Sequence, residues 1–348
     1  MLNRITITAY KCIEEEQLTL APLTLLAGPN ASGKSTVIQG FLLALSSCKG
    51  PNSSFLEPVI RPYKNHETIL CRYSENETVF IGLDRAQEEN FLSIKMHGNQ
   101  FEYYQSPTGT GYHYEESFFY LSANRTGVEE IVTTNQTLRI GHNGQYAIGY
   151  LEQQKDKPIH EALQVSDAPA KTLKSQLAWW LTFITGIPTE ARTEKVGDIQ
   201  VRLSFKMGEI DDVSPQNTGA GNSYLLKMLV VCLTVKPGDL LLIENPEVHL
   251  HPGAQSRLGI LLAFLAARGV QIVAETHCEH LINRIRYEIY AKKLSHDQVI
   301  LHYKPDVHSS FQTLKINERG HYTDPDGNEQ AFPKGFFDST LSELLEIS

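Results

Sequence analysis

A glycine-rich segment near the start of the chain has the composition and spacing of a phosphate-binding loop. Residues 28–35 read Gly-Pro-Asn-Ala-Ser-Gly-Lys-Ser and match G-x-x-x-x-G-K-[ST] at every fixed position. Glycines let successive backbone N–H groups turn inward around an anion, and the positive end of a following helix strengthens that field. The spacing therefore predicts nucleotide binding, with a chance glycine turn between strand and helix as the alternative. The predicted nucleotide-binding residues are Gly28, Pro29, Asn30, Ala31, Ser32, Gly33, Lys34, Ser35 and Thr36.

Two side chains of this loop predict a metal-dependent reaction on a phosphate. Lys34 is placed to reach the β- and γ-phosphates, and the Ser35 hydroxyl is placed to hold Mg²⁺. Such a site also needs an acidic group for the metal and a group that orients the attacking water. The apolar run 240–243 delivers Glu244 at its end, so we predict Ser35 and Glu244 as the Mg²⁺ ligands and Glu247 as the water-orienting residue. An ordinary exposed loop carboxylate is the alternative for either glutamate.

A histidine follows the next apolar run. Residues 270–274 are succeeded by Glu275, Thr276 and His277, and this run is expected to end at the same sheet edge. An imidazole at that edge can sense a γ-phosphate or relay a proton. His277 therefore joins Glu244 and Glu247 as a predicted catalytic residue, and a capped core histidine is the alternative.

The elements that must position these residues form a regular pattern at both ends of the chain. A strand at 23–27 precedes the loop, and a buried helix at 36–45 follows it. In the last 150 residues, apolar strands alternate with helices at about 224–234 and 254–267. This alternation predicts an α/β fold whose parallel sheet is covered on both faces.

The middle of the chain, from about 55 to 195, is less regular. It offers short strand candidates at 78–83 and 118–121 and a helix at about 171–185. We find no internal repeat and no sustained heptad pattern, which excludes long coiled-coil arms.

Length and composition exclude several classes of protein. The 348 residues are 41% hydrophobic and carry 31 Lys and Arg against 40 Asp and Glu, a net charge of −9, which excludes a generally basic nucleic-acid coat. The apolar runs fall short of the roughly 20 residues of a membrane span, and no signal peptide is visible before the first strand-like segment. Five cysteines without a C-x-x-C pair are typical of reduced thiols, so we expect a cytoplasmic protein that does not bind a membrane.

The ordered set of motifs resembles the ABC-type ATPase heads of the SMC, RecF and OLD kind. It comprises the phosphate loop, a glycine turn before an apolar helix, the strand ending in Glu-Asn-Pro-Glu with His-Leu-His-Pro beyond it, and the strand ending in Glu-Thr-His. More narrowly, residues 237–252 and 275–277 are similar to the OLD-like AAA-family ATPases, many of which belong to bacterial anti-phage or DNA-maintenance systems. The tail at 332–338 also resembles the end of a subgroup of that family.

This resemblance implies a fold and a domain organisation. The fold would be an ABC-ATPase-head P-loop fold, with a parallel sheet core, added antiparallel strands and an inserted central region. The whole chain, 1–348, would be one ATPase head, with nucleotide-binding lobes at 1–50 and 199–348 and a sensor region at about 55–195.

The resemblance also assigns roles that spacing alone does not. Gly219, Gly221 and Ser223 lie where the family carries its signature turn, which contacts the γ-phosphate bound to the other subunit; a plain connecting turn is the alternative. Arg125 falls near the family's sensor segment and would contact phosphate or the subunit interface. Residues 246–252 would form the subunit-facing loop.

The sequence departs from the family pattern at one position. Typical heads have Asp then Glu at the end of the second strand, and the Glu acts as general base. This chain has Glu244 then Asn245, and an amide does not accept a proton at neutral pH. Either Glu247 takes over the role of the base or hydrolysis is slow.

Three other features of the sequence have less specific interpretations. His249 and His251, together with His277 and His280, suggest zinc, but neither spacing is a strong ligand signature and no Cys pair joins them. The basic residues at 284–293 are more simply a solvated face than a DNA contact. Trp179 and Trp180 are better interpreted as core or interface than as a base-stacking platform.

The resemblance implies an ATP-hydrolysing switch that dimerises, or forms a higher homo-oligomer, around ATP and Mg²⁺. The switch would control a DNA transaction or a separate effector, such as a nuclease or toxin, in bacterial anti-phage defence. OLD-like relatives often carry a nuclease domain after the head, and the 71 residues after His277 predict that any effector is another chain. The alternatives are a nucleotide-gated scaffold with negligible turnover, motivated by Asn245, and a transport ATPase subunit, for which the Leu-Ser-Gly-Gly-Gln signature is missing.

Overall fold

The computed structural model describes residues 1–48, 50–86, 88–107 and 111–333, except the side chain of Asn90. Residues 334–338 of the tail that resembles a family subgroup lie outside this range. Within it, the strands are β1 (Leu2–Tyr10), β2 (Ile13–Thr19), β3 (Leu23–Ala27), β4 (Val79–Arg85), β5 (Glu88–His97), β6 (Gln100–Gln105), β7 (Phe118–Leu121), β8 (Ile131–Thr133), β9 (Thr189–Val196), β10 (Gln200–Met207), β11 (Ile210–Val213), β12 (Leu240–Glu244), β13 (Gln271–Thr276), β14 (Val299–Tyr303), β15 (Gln312–Ile316) and β16 (Tyr322–Thr323).

Eight α-helices connect or flank these strands in the described residues. They are α1 (Lys34–Leu45), α2 (Ser53–Ile60), α3 (His66–Ile69), α4 (Ala147–Gln154), α5 (Leu173–Thr185), α6 (Ala220–Thr234), α7 (Pro252–Ala267) and α8 (Glu279–Tyr290). None of these described helices is long and apolar enough to cross a bilayer.

A seven-stranded sheet forms the centre of the fold, in the order β16-β15-β14-β3-β13-β12-β7. Its five strands from β14 to β7 are parallel, and β15 and β16 are added antiparallel. Strands β3, β12 and β13 are buried at every position, as expected of parallel strands that helices cover on both faces. The predicted α/β class, with a parallel core and added antiparallel strands, is confirmed.

Two antiparallel sheets flank this centre. The first has the order β2-β1-β4-β5-β6, and its apolar face packs with α1 in one hydrophobic core. In the second sheet, β10 pairs with β8, β9 and β11. Its buried residues pack with the five helices from α4 through α8 in another hydrophobic core. The short strand predicted at 118–121 is β7, which pairs with β12 and so contributes to the central sheet.

A buried glutamine joins the central sheet to the first antiparallel sheet. Gln271 Oε1 accepts a hydrogen bond from Leu2 N at 2.9 Å, and Gln271 Nε2 donates to Leu2 O at 2.6 Å. Because the amide satisfies both backbone groups of Leu2, it fixes the start of β1 against the start of β13.

We predict that Gln271→Leu lowers the free energy of unfolding by about 1–3 kcal/mol, because it leaves a buried N–H and a buried C=O unpaired. Urea unfolding measures this as a lower midpoint at an unchanged slope. The matched control is Gln153→Leu at an exposed position of α4. Equal midpoints for the two variants would contradict the structural role of Gln271.

Candidate functional site

The backbone of the phosphate loop requires glycine at two positions. Gly28 and Gly33 have φ angles of +144° and +113°. A Cβ on Gly28 would lie 2.2 Å from Lys304 O, and one on Gly33 would lie 2.6 Å from Cys12 Sγ. The loop is therefore held between the end of β14 and the turn after β1, and its last two residues, Lys34 and Ser35, begin the helix α1.

Lys34 is buried inside the loop that it belongs to. Its side chain is 2% exposed, and its Nζ donates to Pro29 O at 2.6 Å and lies 3.9 Å from Glu275 Oε1. Burial lowers the pKa of the ammonium, while the charges of Glu275 and Glu247 oppose that shift. The ammonium thus bonds its own loop at the point where an incoming phosphate would offer better acceptors.

The carboxylate that contacts the loop is Glu275. Ser35 Oγ donates to Glu275 Oε1 at 3.0 Å, and Glu275 Oε2 is buried with no hydrogen-bond partner among the described residues. Burial raises the pKa of Glu275; the Ser35 hydrogen bond lowers it, and the nearby Glu244 charge raises it further. Sequence reasoning quoted Glu275 but assigned it no role. No local signal reports this contact, because it depends on the pairing of β13 with β3, the strand that leads into the loop.

Glu244 lies one strand further along the same edge, where it binds the segment after β7. Its carboxylate accepts hydrogen bonds from the Tyr120 hydroxyl at 3.1 Å and from Ala123 N at 2.9 Å. Glu244 and Glu275 are in-register partners on β12 and β13, so their side chains emerge at the same level of the sheet. A Mg²⁺ role for Glu244 stays a prediction, and Glu275 becomes a second candidate.

The side chain of Arg125 binds backbone carbonyls at the end of β12. Its Nη2 donates to Glu244 O at 2.7 Å and to Asn245 O at 3.2 Å. Burial lowers the pKa of the guanidinium to about 10, and the charge of Glu247 is the largest effect opposing that shift. The structure thus places Arg125 beside the predicted catalytic carboxylates.

Glu247 and His277 meet at this edge. Glu247 Oε1 accepts a hydrogen bond from His277 N at 2.8 Å, and Glu247 Oε2 is buried without a partner in the part of the chain that the structure describes. Burial raises the pKa of Glu247. The His277 side chain is 32% exposed, with its Nε2 4.0 Å from Glu275 Oε1. Burial and the Lys34 charge lower the pKa of His277, which favours the neutral imidazole.

The predicted signature turn packs against the loop that follows Glu247. Gly219 has a φ of +77° and immediately precedes α6. A Cβ on Gly221 would lie 2.6 Å from His249 O, so glycine is required for this contact. Ser223 is buried, and its Oγ has no hydrogen-bond partner within the described residues. The structure brings the turn and the 246–252 loop together, and contact with a second subunit's phosphate stays a prediction.

The histidines considered for zinc have other contacts. The His249 ring lies 4.6 Å from the Tyr224 ring, and His251 Nδ1 accepts from Gly253 N at the start of α7. In the described ranges, no group of three or more His, Cys, Asp or Glu side chains is arranged to hold a metal ion.

The residues at this edge fit a nucleotide with Mg²⁺. The loop offers a lysine and a hydroxyl, and Glu247 and Glu275 each present one buried carboxylate oxygen without a partner among the residues described. Ser35 with Glu244 or Glu275 would hold a magnesium ion, which would supply charge neutralisation for a triphosphate. The arrangement can therefore bind phosphate on one side and hold a metal or water on the other.

We predict that Glu275→Gln raises the Mg²⁺ concentration needed for half-maximal nucleotide binding by about 10-fold, because Glu275 contacts Ser35 directly. Titrating Mg²⁺ against a fluorescent triphosphate analogue measures this. Glu244→Gln is the matched variant, and we expect a smaller change from it. The opposite ranking would assign the metal to Glu244.

The chain is similar to several known proteins. An OLD nuclease from Thermus scotoductus (strain ATCC 700910 / SA-01) is 36% identical over 58 residues, which are 17% of this chain and 11% of that protein. The match thus spans about a tenth of the relative's length. An Smc head bound to the C-terminal winged-helix domain of ScpA superposes with a TM-score of 0.54 at 12% identity, covering 90% of this chain and 98% of that one.

A second Smc head, with an extended coiled coil and bound to the C-terminal domain of ScpA derived from Pyrococcus furiosus, has a TM-score of 0.53. It is 11% identical and covers 99% of both chains. At these identities the structures show a shared fold, the SMC/ABC-type head. The family model described as "AAA domain, putative AbiEii toxin, Type IV TA system" matches residues 80–283. Because this match covers more than half of the chain, the protein belongs to that family of P-loop ATPases, as a distant homologue of OLD nuclease with an SMC-like head fold.

Proposed function

We propose that this protein is an ATP-binding and ATP-hydrolysing switch that dimerises around ATP and Mg²⁺ and thereby controls a separate effector or a DNA transaction. The observation that carries the proposal is the hydrogen bond between Ser35 and Glu275 beside the buried Lys34. An acidic group next to the loop hydroxyl that we expect to hold Mg²⁺ is what phosphoryl transfer requires. The family membership and the OLD nuclease match support a role in bacterial anti-phage or toxin–antitoxin systems.

The contacts of the central region support a role for it as a sensor of the nucleotide site. It supplies Tyr120, Ala123 and Arg125, all of which bond to Glu244. We therefore propose residues 1–50 and 199–348 as the nucleotide-binding lobes. The region at about 55–195 would respond to changes at the carboxylate edge, by which we mean the sheet edge that carries Glu244, Glu247 and Glu275. A change at Glu244 on metal binding would reach this region through these hydrogen bonds.

Glu247 is our candidate for the residue that takes the proton from the attacking water. One of its oxygens is fixed by His277 N, and a pKa raised by burial makes the other a better proton acceptor. Asn245 can orient a water but does not accept its proton.

A nucleotide-gated scaffold with negligible turnover is the second candidate, because Asn245 stands where the family carries its general base. Binding-driven dimerisation would survive the loss of that base. Steady-state ATP hydrolysis by the purified wild type, alone and with DNA, separates the two candidates.

We predict that Lys34→Ala lowers nucleotide affinity by about 100-fold while the fold stays intact. The ammonium bonds a loop carbonyl in the free protein and phosphate in the complex, and charge-assisted hydrogen bonds of this kind are worth about 1.5–3 kcal/mol each. Calorimetric titration with ATP measures the change, and Lys195→Ala, at an exposed position of β9, is the control. Wild-type affinity in Lys34→Ala would refute the phosphate-loop assignment.

We predict that Glu247→Gln slows single-turnover hydrolysis by about 10²–10⁴-fold and that Asn245→Ala slows it less, with ATP binding retained in both. Only the carboxylate can accept the proton of the attacking water. Binding is measured in parallel with a non-hydrolysable analogue. If Glu247→Gln turns over like the wild type while Glu244→Gln binds ATP without hydrolysing it, Glu244 is the base.

We predict that ATP with Mg²⁺ raises the population of a two-fold dimer, because the signature turn would complete the site of a second subunit. Light scattering at micromolar protein, with ADP as the control nucleotide, measures the change in mass. A monomer that hydrolyses ATP at its full rate would contradict the shared site.

A further inference from the structure

A lysine is buried in the middle of the helix that follows the signature turn. Lys227 of α6 is 1% exposed, and its Nζ donates to Thr126 O and Gly127 O, both at 3.0 Å, and to Glu129 Oε2 at 2.9 Å. Burial of an ammonium is costly, and a buried ion pair is weak evidence for a gain in stability over an apolar residue. The lysine therefore calls for an explanation other than stability.

The loop that Lys227 binds is continuous with the segment at the carboxylate edge. Ala123 N bonds the Glu244 carboxylate, and Arg125 bonds the carbonyls of Glu244 and Asn245. Thr126 is the next residue, so the contacts of Lys227 begin where those of Arg125 end. A displacement of Glu244 would therefore reach Lys227 through the short segment from Ala123 to Thr126.

The other end of this link is the signature turn. Lys227 lies four residues after Ser223, and residues four apart share one face of a helix. Both side chains are buried, so the same face of α6 carries the lysine and the predicted signature serine. Because a helix moves as a rigid body, a shift at Lys227 also shifts the turn at 219–223.

We propose that Lys227 is a positioning residue that couples the carboxylate edge of a subunit's own nucleotide site to the signature turn that the same subunit offers to its partner. The inference rests on the proposed function, since the turn matters only if it completes a second site. The coupling would make the signature turn of one subunit respond to nucleotide in that subunit. Couplings between sites typically change affinity by about 5- to 150-fold.

The test uses the full-length chain and three variants. Lys227→Met removes the ammonium at similar side-chain length. Glu129→Gln removes only the charge of a partner whose side chain is 39% exposed, so it should not disturb folding. The control is Lys174→Met, which removes an exposed lysine whose Nζ pairs with Asp156 on the surface.

The first measurement is amide hydrogen exchange of α6 and the 219–223 turn, with and without Mg²⁺ and a non-hydrolysable ATP analogue, at a protein concentration where the wild type is monomeric. We expect the analogue to slow exchange there by about fivefold or more in the wild type and in Lys174→Met. We expect no such response in Lys227→Met and a reduced one in Glu129→Gln. A residue with only a structural role would change basal exchange and leave the response to nucleotide in place.

The second measurement separates binding from turnover. Affinity for ADP should stay within about twofold of the wild type in every variant, while kcat for ATP hydrolysis should fall by about fivefold or more in Lys227→Met with little change in KM.

A folded Lys227→Met that keeps the wild-type exchange response overturns the proposal, as does a wild type whose α6 does not respond. Where Lys227→Met does not fold, Glu129→Gln decides, and a full wild-type response in that variant overturns the proposal. Failure of the proposed function is distinguishable, because a wild type that neither dimerises nor hydrolyses ATP can still show the Lys227-dependent response of its monomer.

Discussion

The candidate site depends on the register of three parallel strands. Ala27 of β3 pairs with Thr276 of β13, and Glu275 pairs with Glu244 of β12. Because these strands end at one level, the phosphate loop and two carboxylates leave the sheet at the same edge. A slip of one residue would turn each side chain to the opposite face. The same register brings Lys304, which follows β14, against Gly28, where only glycine leaves enough space.

Electrostatics at this edge favour the arrival of a ligand with a cation. Glu244, Glu247 and Glu275 are all buried there, and burial, followed by the charges of Glu244 and Glu247, raises the pKa of Glu275. Lys34 and Arg125 compensate only in part, and both have pKa values lowered by burial. Bringing Mg²⁺ and a triphosphate to this edge would neutralise the carboxylates and give Lys34 a strong acceptor. Binding of such a ligand would thus reduce the repulsion among these carboxylates.

Sequence patterns were sufficient for the loop and for strands β12 and β13, because their apolar runs and glycines are local signals. They were insufficient for contacts made by distant parts of the chain. Parallel pairing of β7 with β12 joins segments more than 100 residues apart, and no local periodicity reports it. The bonds from Tyr120, Ala123 and Arg125 to Glu244 follow from that pairing. In the same way, the contact of Glu275 with Ser35 follows from the pairing of β13 with β3.

The one departure from the family pattern has a structural reason in the backbone. Asn245 has a φ of +43°, and its N–H donates to Glu275 O at 2.8 Å. Asparagine is among the residues that adopt this left-handed conformation most readily, whereas most other side chains are strained there. The turn that it makes brings Glu247 back under His277 N, so that a carboxylate faces the edge two residues later. An amide at position 245 and an anchored carboxylate at 247 are therefore one arrangement, and this arrangement is what the proposal of Glu247 as the base requires.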